Sequence, residues 1–348
     1  MPGRVYLDWN ATAPLRPEAR AAMIAAMDAV GNPSSVHAEG RAARALVEKA
    51  RAQIAAALGA EGAEIVFTSG ASEAAALACS GRWLQGSEIE HDAVAAWLDP
   101  CLRPDGDGRV VPRLPAQSAL QLANSETGVI QEIPEGLAVC DMTQGFGKLP
   151  VAFNWLGCQM GLVSAHKIGG PKGIGALVMR RGCDIEAQIR GGGQELGRRA
   201  GTENVIGIAG FGAAAEAAAA DLEAGKWAEI AQLRSILENL IAERANKTIF
   251  VGKDVPRLPN TLCLATPGWK GETQVMQMDL AGFAVSAGSA CSSGKLRPSR
   301  VLTAMGLGDE VASSAIRVSM GPGTTEEDVR RFAESWLAAE TKFRARTG

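Results

Sequence analysis

The sequence predicts an α/β fold in which a mostly parallel sheet forms a large domain and is accompanied by a smaller α+β domain. Short apolar runs that end in polar or glycine-rich residues are typical of buried strands, and amphipathic helical segments lie between them. A length of 348 residues is enough for about two domains. After Thr248 the strands and helices alternate on a smaller scale, so we place the large domain at 16–245 and the small domain at 1–15 and 246–348.

The composition is that of an ordinary water-soluble globular protein, with 47% hydrophobic and 21% charged residues. A net charge of -3 and an aromatic content of 5% argue against a nucleic-acid-binding surface. The N-terminus has no apolar signal core, and no run reaches the length of a membrane span. The nearest is 205–220, which Glu216 interrupts and which we expect to be a buried helix. We therefore predict a cytoplasmic protein without membrane contact.

The seven cysteines are an odd number without paired close spacing, which predicts reduced thiols and no disulfide framework. No Cys/His cluster has the spacing of a zinc site, and we predict no metal centre. Cys79, Cys140, Cys158 and Cys263 lie in apolar helix or strand contexts and are expected in the core, whereas the contexts of Cys101 and Cys183 leave their positions open.

The most informative unit of the first half is a strand at 64–67, a polar turn and a small-residue helix at 74–80. The N–H groups and hydroxyl side chains at such a helix N-terminus can bind a phosphate. The alternative is N-capping by Ser69 or Ser72, which is the commoner use of these residues. The elements expected before this unit are a strand at 5–7 and helices at 17–30 and 38–58.

The next segment predicts an unusual connection in the sheet. His91 begins a helix and is, taken alone, most simply a surface residue. Residues 99–118 are rich in proline and turn formers and are expected to be irregular. Strands at 120–123 and 137–140 leave only 124–136 for a crossover, which is near the minimum for parallel strands. Since that segment contains two glycines and a proline, we expect no full covering helix there, so that one patch of the sheet is either thinly covered or covered by something else.

A glycine-rich segment at 164–175 follows an apolar run at 160–163 that reads as a buried strand. Lys167 therefore follows the carboxyl end of a strand, where open α/β sheets bind ligands. Asp141 ends another predicted strand and presents a carboxylate at the same edge. A lysine that forms a Schiff base and a carboxylate that holds a pyridinium nitrogen are what pyridoxal phosphate requires. The alternative, a solvated loop lysine and a turn-forming aspartate, stays open on these two residues alone.

The second half of the chain continues the alternation of predicted strands and helices. Its polar, glycine- and arginine-rich loop at 191–204 lies between ordered elements, which favours a binding role over a plain linker. Strands are expected at 175–179, 260–265, 284–286 and 315–319. Thr324 and Glu327 predict a capping box for the last helix.

Taken together, these stretches resemble the pyridoxal-phosphate-dependent cysteine desulfurases of the class V aminotransferase family, in the group with a long cysteine loop. The resemblance runs from Tyr6 to about Asp328, which is nearly the whole chain. The motifs that carry it are Tyr6-Leu-Asp, Gly31-Asn-Pro-Ser-Ser35, Phe67-Thr-Ser-Gly-Ala71, Glu90-His91, Glu126-Thr-Gly128, His166-Lys-Ile-Gly-Gly-Pro-Lys-Gly173, Gly201-Thr-Glu-Asn204, Ser289-Ala-Cys-Ser-Ser293 and Ile316-Arg317.

The resemblance implies a fold-type I pyridoxal-phosphate-dependent transferase. In that family's pattern Lys167 is the Schiff-base lysine, Asp141 the partner of the pyridinium nitrogen and Gln144 a partner of the phenolic oxygen. His91 matches the histidine that stacks on the pyridine ring. The positions that match phosphate contacts are Ala71, Ser72, Ser164 and His166.

The resemblance also implies the substrate side of the site. Thr202 matches a residue that reaches the phosphate of the other subunit, so a homodimer is expected. Arg317 matches the arginine that holds the substrate carboxylate, a task suited to a guanidinium group. Asn10 and Ser125 are assigned to the substrate as well, although relatives commonly have asparagine at the position of Ser125. Cys291 lies among small residues that leave a thiol accessible, as a nucleophile requires.

The implied activity is conversion of L-cysteine to L-alanine. Lys167 would take the Cα proton, and the Cys291 thiolate would accept the sulfur as a persulfide for an iron–sulfur scaffold or another sulfur acceptor. A selenocysteine lyase, a transaminase and a weakened paralogue that acts as a scaffold are the alternatives. The segments on either side of Asn124 are also shorter than is usual in the family.

Overall fold

The computed structural model describes residues 3–288 and 298–347. The strands in these ranges are β1 (Val5–Tyr6), β2 (Glu64–Thr68), β3 (Leu84–Ser87), β4 (Leu98–Leu102), β5 (Ala119–Gln121), β6 (Leu137–Asp141), β7 (Cys158–Ser164), β8 (Gly175–Met179), β9 (Ile249–Phe250), β10 (Thr261–Ala265), β11 (Phe283–Ala284), β12 (Ser286–Ala287) and β13 (Ala315–Ser319). The α-helices are α1 (Pro17–Met27), α2 (Ala38–Ala57), α3 (Ala71–Cys79), α4 (Asp92–Ala95), α5 (Val205–Glu223), α6 (Lys226–Ala242), α7 (Gly271–Leu280), α8 (Arg300–Ala304), α9 (Asp309–Ala312) and α10 (Glu326–Thr347).

The main sheet has five strands in the order β2-β8-β7-β6-β5. Strands β5, β6 and β7 are parallel to one another, and β8 runs antiparallel to both β7 and β2. Four of the five strands therefore point the same way, and the mostly parallel sheet that the sequence predicts is confirmed. Their carboxyl ends, at Thr68, Gln121, Asp141 and Ser164, meet along one edge.

Helices cover both faces of this sheet. Helices α2 and α5 pack together on one face, and α3 packs against β7 and β8 on the other. By length and composition alone α5 could cross a membrane, and it is the one helix of the described ranges for which this holds. Its buried side chains include Phe211 and Ala214, which belong to the same apolar cluster as the sheet. This packing confirms the expected buried helix.

A second, antiparallel sheet has the order β12-β13-β10-β9. Its apolar cluster includes Leu264, Ile316 and Trp336, together with Leu7 from the N-terminal segment. Strand β1 pairs with β11 in a separate two-stranded sheet, and Leu7, which follows β1, belongs to the apolar cluster of the second sheet. The boundary at residue 245 stays a prediction, and α6, which precedes it, packs with this same cluster.

Three local expectations are wrong. Residues 98–102 form β4, which pairs in parallel with β3, although this segment is rich in proline and was expected to be irregular. Helix α3 begins at Ala71, three residues early, and its N-cap is Gly70 without a side-chain cap. The capping box of α10 is made by Thr325 and Asp328, because the Thr324 hydroxyl accepts instead from the Gly321 N–H.

The crossover at 124–136 contains no helix, as expected. Of the two outcomes left open, cover by another part of the chain is the one observed, because every residue of β5 and β6 is buried. Val110 from the loop after β4 joins the cluster that contains Leu120, and so do Leu302 of α8 and Met305. Short loops and a helix near the second sheet therefore take the place of a crossover helix.

A close backbone approach fixes α3 beside the start of β8. A Cβ atom at Gly175 would lie 2.7 Å from Gly70 Cα and 2.7 Å from the Val163 carbonyl oxygen, so only glycine fits. This contact holds the N-terminus of α3 against the segment that carries Lys167.

We predict that Gly175→Ala lowers the free energy of unfolding by about 1–3 kcal/mol, the usual cost of overpacking a tight site. Urea denaturation of the purified protein measures this quantity. The matched control is Gly106→Ala, at an exposed position where a Cβ atom would meet nothing within 4 Å. Equal stability of the two variants would contradict the close packing described here.

Candidate active site

A cavity of about 550 Å³ lies at the shared carboxyl edge of the main sheet. It brings together most of the site residues that the sequence predicts. Those that line it are Ala71, Ser72, His91, Ser125, Asp141, Gln144, Ser164, His166 and Lys167. Residues from several strand ends and from the N-terminal segment thus surround one space, which is the usual arrangement of a ligand site in an open α/β sheet.

One end of the cavity suits an anion. Gly70, Ala71 and Ser72 at the start of α3 line it, and the first amide groups of a helix have no partner within the helix. The N-terminal charge of a helix favours a negative ligand. Lys172, which also lines the cavity, adds a positive charge. This end therefore fits a phosphate group.

Lys167 lies in a single 3-10 turn that directly follows β7. Its Nζ donates to the Asn10 carbonyl oxygen at 2.7 Å and to the Ala11 carbonyl oxygen at 2.9 Å. The N-terminal segment thereby holds the amine at the cavity, although that segment lies far away in sequence. The expected position of Lys167 beyond a strand end is observed.

Asp141 is the last residue of β6 and also lines the cavity. Its Oδ1 accepts from the Thr143 N–H at 2.9 Å, which orients the carboxylate. The Thr143 hydroxyl is buried at the cavity and has no hydrogen-bond partner among the described residues. An amine, a carboxylate, an anion-binding end and an orphaned hydroxyl around one cavity fit pyridoxal phosphate.

Two histidines line the cavity, and each has a defined hydrogen bond. The Ala93 N–H donates to His91 Nδ1 at 3.1 Å, so His91 caps α4. His166 Nδ1 lies 3.1 Å from Thr12 Oγ1. Burial, aided by the positive charges of Lys167 and Lys172 and by the nearby His91, lowers the pKa of His166 from 6.5 to about 4. His166 is therefore neutral at physiological pH.

A polar network lies behind the cavity around Asn10. Gln144 Nε2 donates to the Asn10 carbonyl oxygen at 2.9 Å. Lys148 Nζ donates to Gln144 Oε1 at 2.7 Å and to Asn10 Oδ1 at 2.9 Å. Asn10 itself is buried and does not line the cavity. It contacts the site through Gln144 and Lys167, which line the cavity and donate to its carbonyl oxygen.

Two further predicted site residues, Arg317 and Thr202, do not line the cavity. Arg317 donates to Asp8 Oδ1 at 2.7 Å and to the Ser125 carbonyl oxygen at 2.9 Å. Its Nε is buried without a partner among the described residues. Thr202 is exposed in the loop before α5, and Cys291 lies outside the described residues.

Several residues of the site are missing from the prediction. Lys172, Thr143 and Gln121 line the cavity, and Lys148 supports it. Thr143 and Gln121 could have been found, because each is within three residues of a predicted strand end. Lys148, between glycine and a proline-containing turn, gives no such signal, since a lysine in a turn is ordinarily solvated.

Cavity size alone does not identify the site. A cavity of about 600 Å³ lies beside α2, where Arg51 and Glu195 form an ion pair, and another of about 610 Å³ lies between α7 and α10. Neither combines a strand-end lysine with a carboxylate. Within the described ranges no group of three or more His, Cys, Asp or Glu residues could hold a metal ion.

Comparison with known proteins gives consistent matches over most of the chain. The model of the class V aminotransferase family matches residues 5–97 and 116–332, so the stretch between them, which contains β4, is not matched. A cysteine desulfurase of Cereibacter sphaeroides is 40% identical over 370 aligned positions that cover 95% of this chain and 94% of the relative. Because this alignment is longer than the chain, the relative contains segments that this chain lacks.

Further relatives and solved structures agree. The cysteine desulfurase IscS of Dictyoglomus turgidum is 38% identical, over 94% of this chain and 92% of the relative. The structure of a NifS-like protein from Rickettsia africae superposes with a TM-score of 0.87 at 32% identity, covering 97% of this chain and 99% of that one. The structure of SspA in complex with cysteine gives a TM-score of 0.76 at 28% identity, covering 92% of this chain and all of that one.

The lowered pKa of His166 predicts a pH dependence of stability. The unfolded chain binds a proton at this histidine near pH 6.5, whereas the folded chain binds it only near pH 4. Since protonation then favours the unfolded chain, the free energy of unfolding is highest above the unfolded pKa of 6.5 and decreases as the pH falls from 6.5 toward 4. We expect urea denaturation of the cofactor-free protein to show a steeper loss of stability over this range than in His166→Gln.

The control for this comparison is His37→Gln, which replaces an exposed histidine far from the cavity in sequence. It should keep the pH slope of the unsubstituted protein. An identical slope in the His166 and His37 variants would show that His166 is not held neutral by its surroundings.

Proposed function

We propose that this chain, which belongs to the class V aminotransferase family and is a cysteine desulfurase, converts L-cysteine to L-alanine in the cavity at the edge of the main sheet. The observation that carries the proposal is the meeting of Lys167 and Asp141 around one cavity that has an anion-binding end. A selenocysteine lyase or a transaminase would need a similar site, but the curated relatives reported above are cysteine desulfurases.

The cofactor proposed for this cavity is pyridoxal phosphate. Lys167 would hold its aldehyde carbon, Asp141 its ring nitrogen and Gln144 its phenolic oxygen, with the His91 ring against the pyridine. The first turn of α3 and Lys172 would hold the phosphate. When bound, the cofactor supplies an electron sink that stabilises negative charge at the substrate Cα.

Two residues of the chain would then transfer the proton and accept the sulfur. Lys167 Nζ takes the proton from the substrate Cα as a general base. The Cys291 thiolate attacks the substrate sulfur; the C–S bond breaks with its electron pair left on the carbon side, and an S–S bond forms on the enzyme. Protonation of that carbon yields alanine. Cys291 lies outside the described residues, so this step rests on the resemblance of its motif.

Arg317 is proposed to bind the substrate carboxylate. Asp8 and the Ser125 carbonyl oxygen orient its guanidinium group, and its Nε–H has no partner among the described residues. Because the Ser125 contact uses the backbone, serine in place of the common asparagine leaves it intact.

We further propose a cytoplasmic homodimer. Thr202 is exposed and does not line the cavity of its own chain, which suits a contact with the cofactor phosphate of the other subunit. The sulfur on Cys291 would pass to an iron–sulfur scaffold or another sulfur-acceptor protein. No nucleic acid or membrane takes part in this proposal.

Cys291→Ser is predicted to keep the visible absorbance of the bound cofactor and to lose alanine formation from cysteine by roughly a thousandfold or more, the scale seen when a catalytic nucleophile is removed. Cys101→Ser is the matched control, because Cys101 is a free and exposed thiol. It should retain full activity. Substantial alanine formation by the Cys291 variant would remove this residue from the proposed role.

Lys167→Ala is predicted to lose the visible absorbance band that a lysine-bound cofactor gives, since the amine that forms the bond is absent. Absorbance spectra at saturating pyridoxal phosphate provide the measurement. Lys172→Met removes the cavity lysine that is assigned to the phosphate; it should weaken cofactor binding but keep the band at saturating pyridoxal phosphate. An unchanged spectrum in Lys167→Ala would contradict the assignment of the Schiff-base lysine.

A further inference from the structure

Lys148 is a lysine in the interior of the protein, only 3% exposed. It lies in the turns that follow β6, at the back of the cavity. Among the described residues its Nζ has no ion-pair partner, and its hydrogen bonds go to two amide oxygens, Gln144 Oε1 and Asn10 Oδ1. A lysine is almost never fully buried without a charged partner, so this arrangement calls for an explanation.

Burial, together with the positive charges of Lys167 and Arg317, lowers the pKa of Lys148 well below its ordinary value of 10.5. The lowered pKa reduces the cost of burying the amine, because burial disfavours the charged form. In either protonation state the amine has at least two N–H donors, one for each amide oxygen.

The hydrogen bond from Lys148 fixes the orientation of the Gln144 side-chain amide. Because Gln144 Oε1 accepts from Lys148, the amide nitrogen Nε2 is turned the other way, toward the Asn10 carbonyl oxygen at 2.9 Å. Gln144 also lines the cavity. The side-chain NH₂ group has two hydrogens, and the Asn10 bond uses only one of them.

Asn10 is held in one orientation by the same logic. Its Oδ1 accepts from Lys148 and from Asn260 Nδ2, the latter at 3.1 Å. Its Nδ2 donates to Thr261 Oγ1 at 2.8 Å and to the Ser125 carbonyl oxygen at 3.2 Å. A reversed Asn10 amide would lose all four bonds, so the acceptor that faces Lys148 is fixed.

We propose that Lys148 is a positioning residue that holds the Gln144 amide with its N–H, and not its oxygen, toward the phenolic oxygen of the cofactor. The inference rests on the proposed function, because the contact that it controls exists only with pyridoxal phosphate bound at Lys167. An N–H group that donates to the phenolic oxygen lowers the affinity of that oxygen for the proton that it shares with the Lys167 nitrogen. Lys148 thereby sets how readily this nitrogen loses its proton.

The test uses the pH titration of the visible absorbance of the enzyme loaded with pyridoxal phosphate, which reports protonation of the Lys167 nitrogen. In Lys148→Met, which keeps the side-chain length and removes the donor, the midpoint should move to higher pH by about one unit. Gln144→Ala should shift it in the same direction. In the double variant Lys148→Met/Gln144→Ala the shift should equal that of Gln144→Ala alone, because Lys148 acts through Gln144.

Asn260→Ala is the matched control. It removes a buried hydrogen bond to the same Asn10 Oδ1 but has no bond to Gln144. It should lower stability without moving the midpoint, which separates orientation of Gln144 from general loss of packing. If Lys148→Met is insoluble, Lys148→Ala leaves room for water and carries the same expectation.

Two results would overturn the inference while leaving the proposed function in place. The first is a wild-type midpoint in both Lys148 variants, and the second is a double variant whose shift is the sum of the single shifts. A wild-type protein that gives no visible band with pyridoxal phosphate would instead remove the proposed function, and this inference with it.

Discussion

The site depends on the burial of Asn10, whose side chain and backbone connect three parts of the chain. Its carbonyl oxygen accepts from Lys167 and Gln144, which follow strands of the main sheet. Its side-chain Oδ1 accepts from both Lys148 and Asn260. The Asn10 N–H donates to Ser319 Oγ of the second sheet at 3.0 Å. Since unmet buried polar groups are costly, this network allows one mutual arrangement of the N-terminal segment, the lysine turn and the second sheet.

Much of the fold and part of the site could be predicted from local patterns. A buried strand that ends in a polar residue places that residue at a sheet edge, and this was sufficient for Lys167 and Asp141. Parallel direction then brings such ends together, so nine predicted residues share one cavity. The missing crossover helix followed from the length and composition of 124–136. The segments that take the place of this helix could not be predicted, because β5 and β6 are covered partly by Leu302 and Met305, which are distant in sequence.

The rest could not be predicted because it arises from contacts between remote segments. Lys148 resembles a solvated turn lysine until Asn10 and Gln144 surround it. The assignment of Arg317 to the substrate stays a prediction, but its ion pair with Asp8 joins residues that are far apart in sequence and that no local pattern connects. Helix caps were misjudged by small amounts for a related reason, since Thr324 and Thr325 carry the same hydroxyl and only backbone geometry decides which one caps α10.

The central claim is that this cavity carries out cofactor-dependent removal of sulfur from cysteine. It is tested most directly by incubating the purified protein with pyridoxal phosphate and L-cysteine, and then measuring alanine together with the mass of each cysteine-containing peptide. We expect alanine to form only with the cofactor present, and one added sulfur atom on the peptide that contains Cys291. Absence of alanine, or sulfur found on the exposed Cys101 and not on Cys291, would contradict the account.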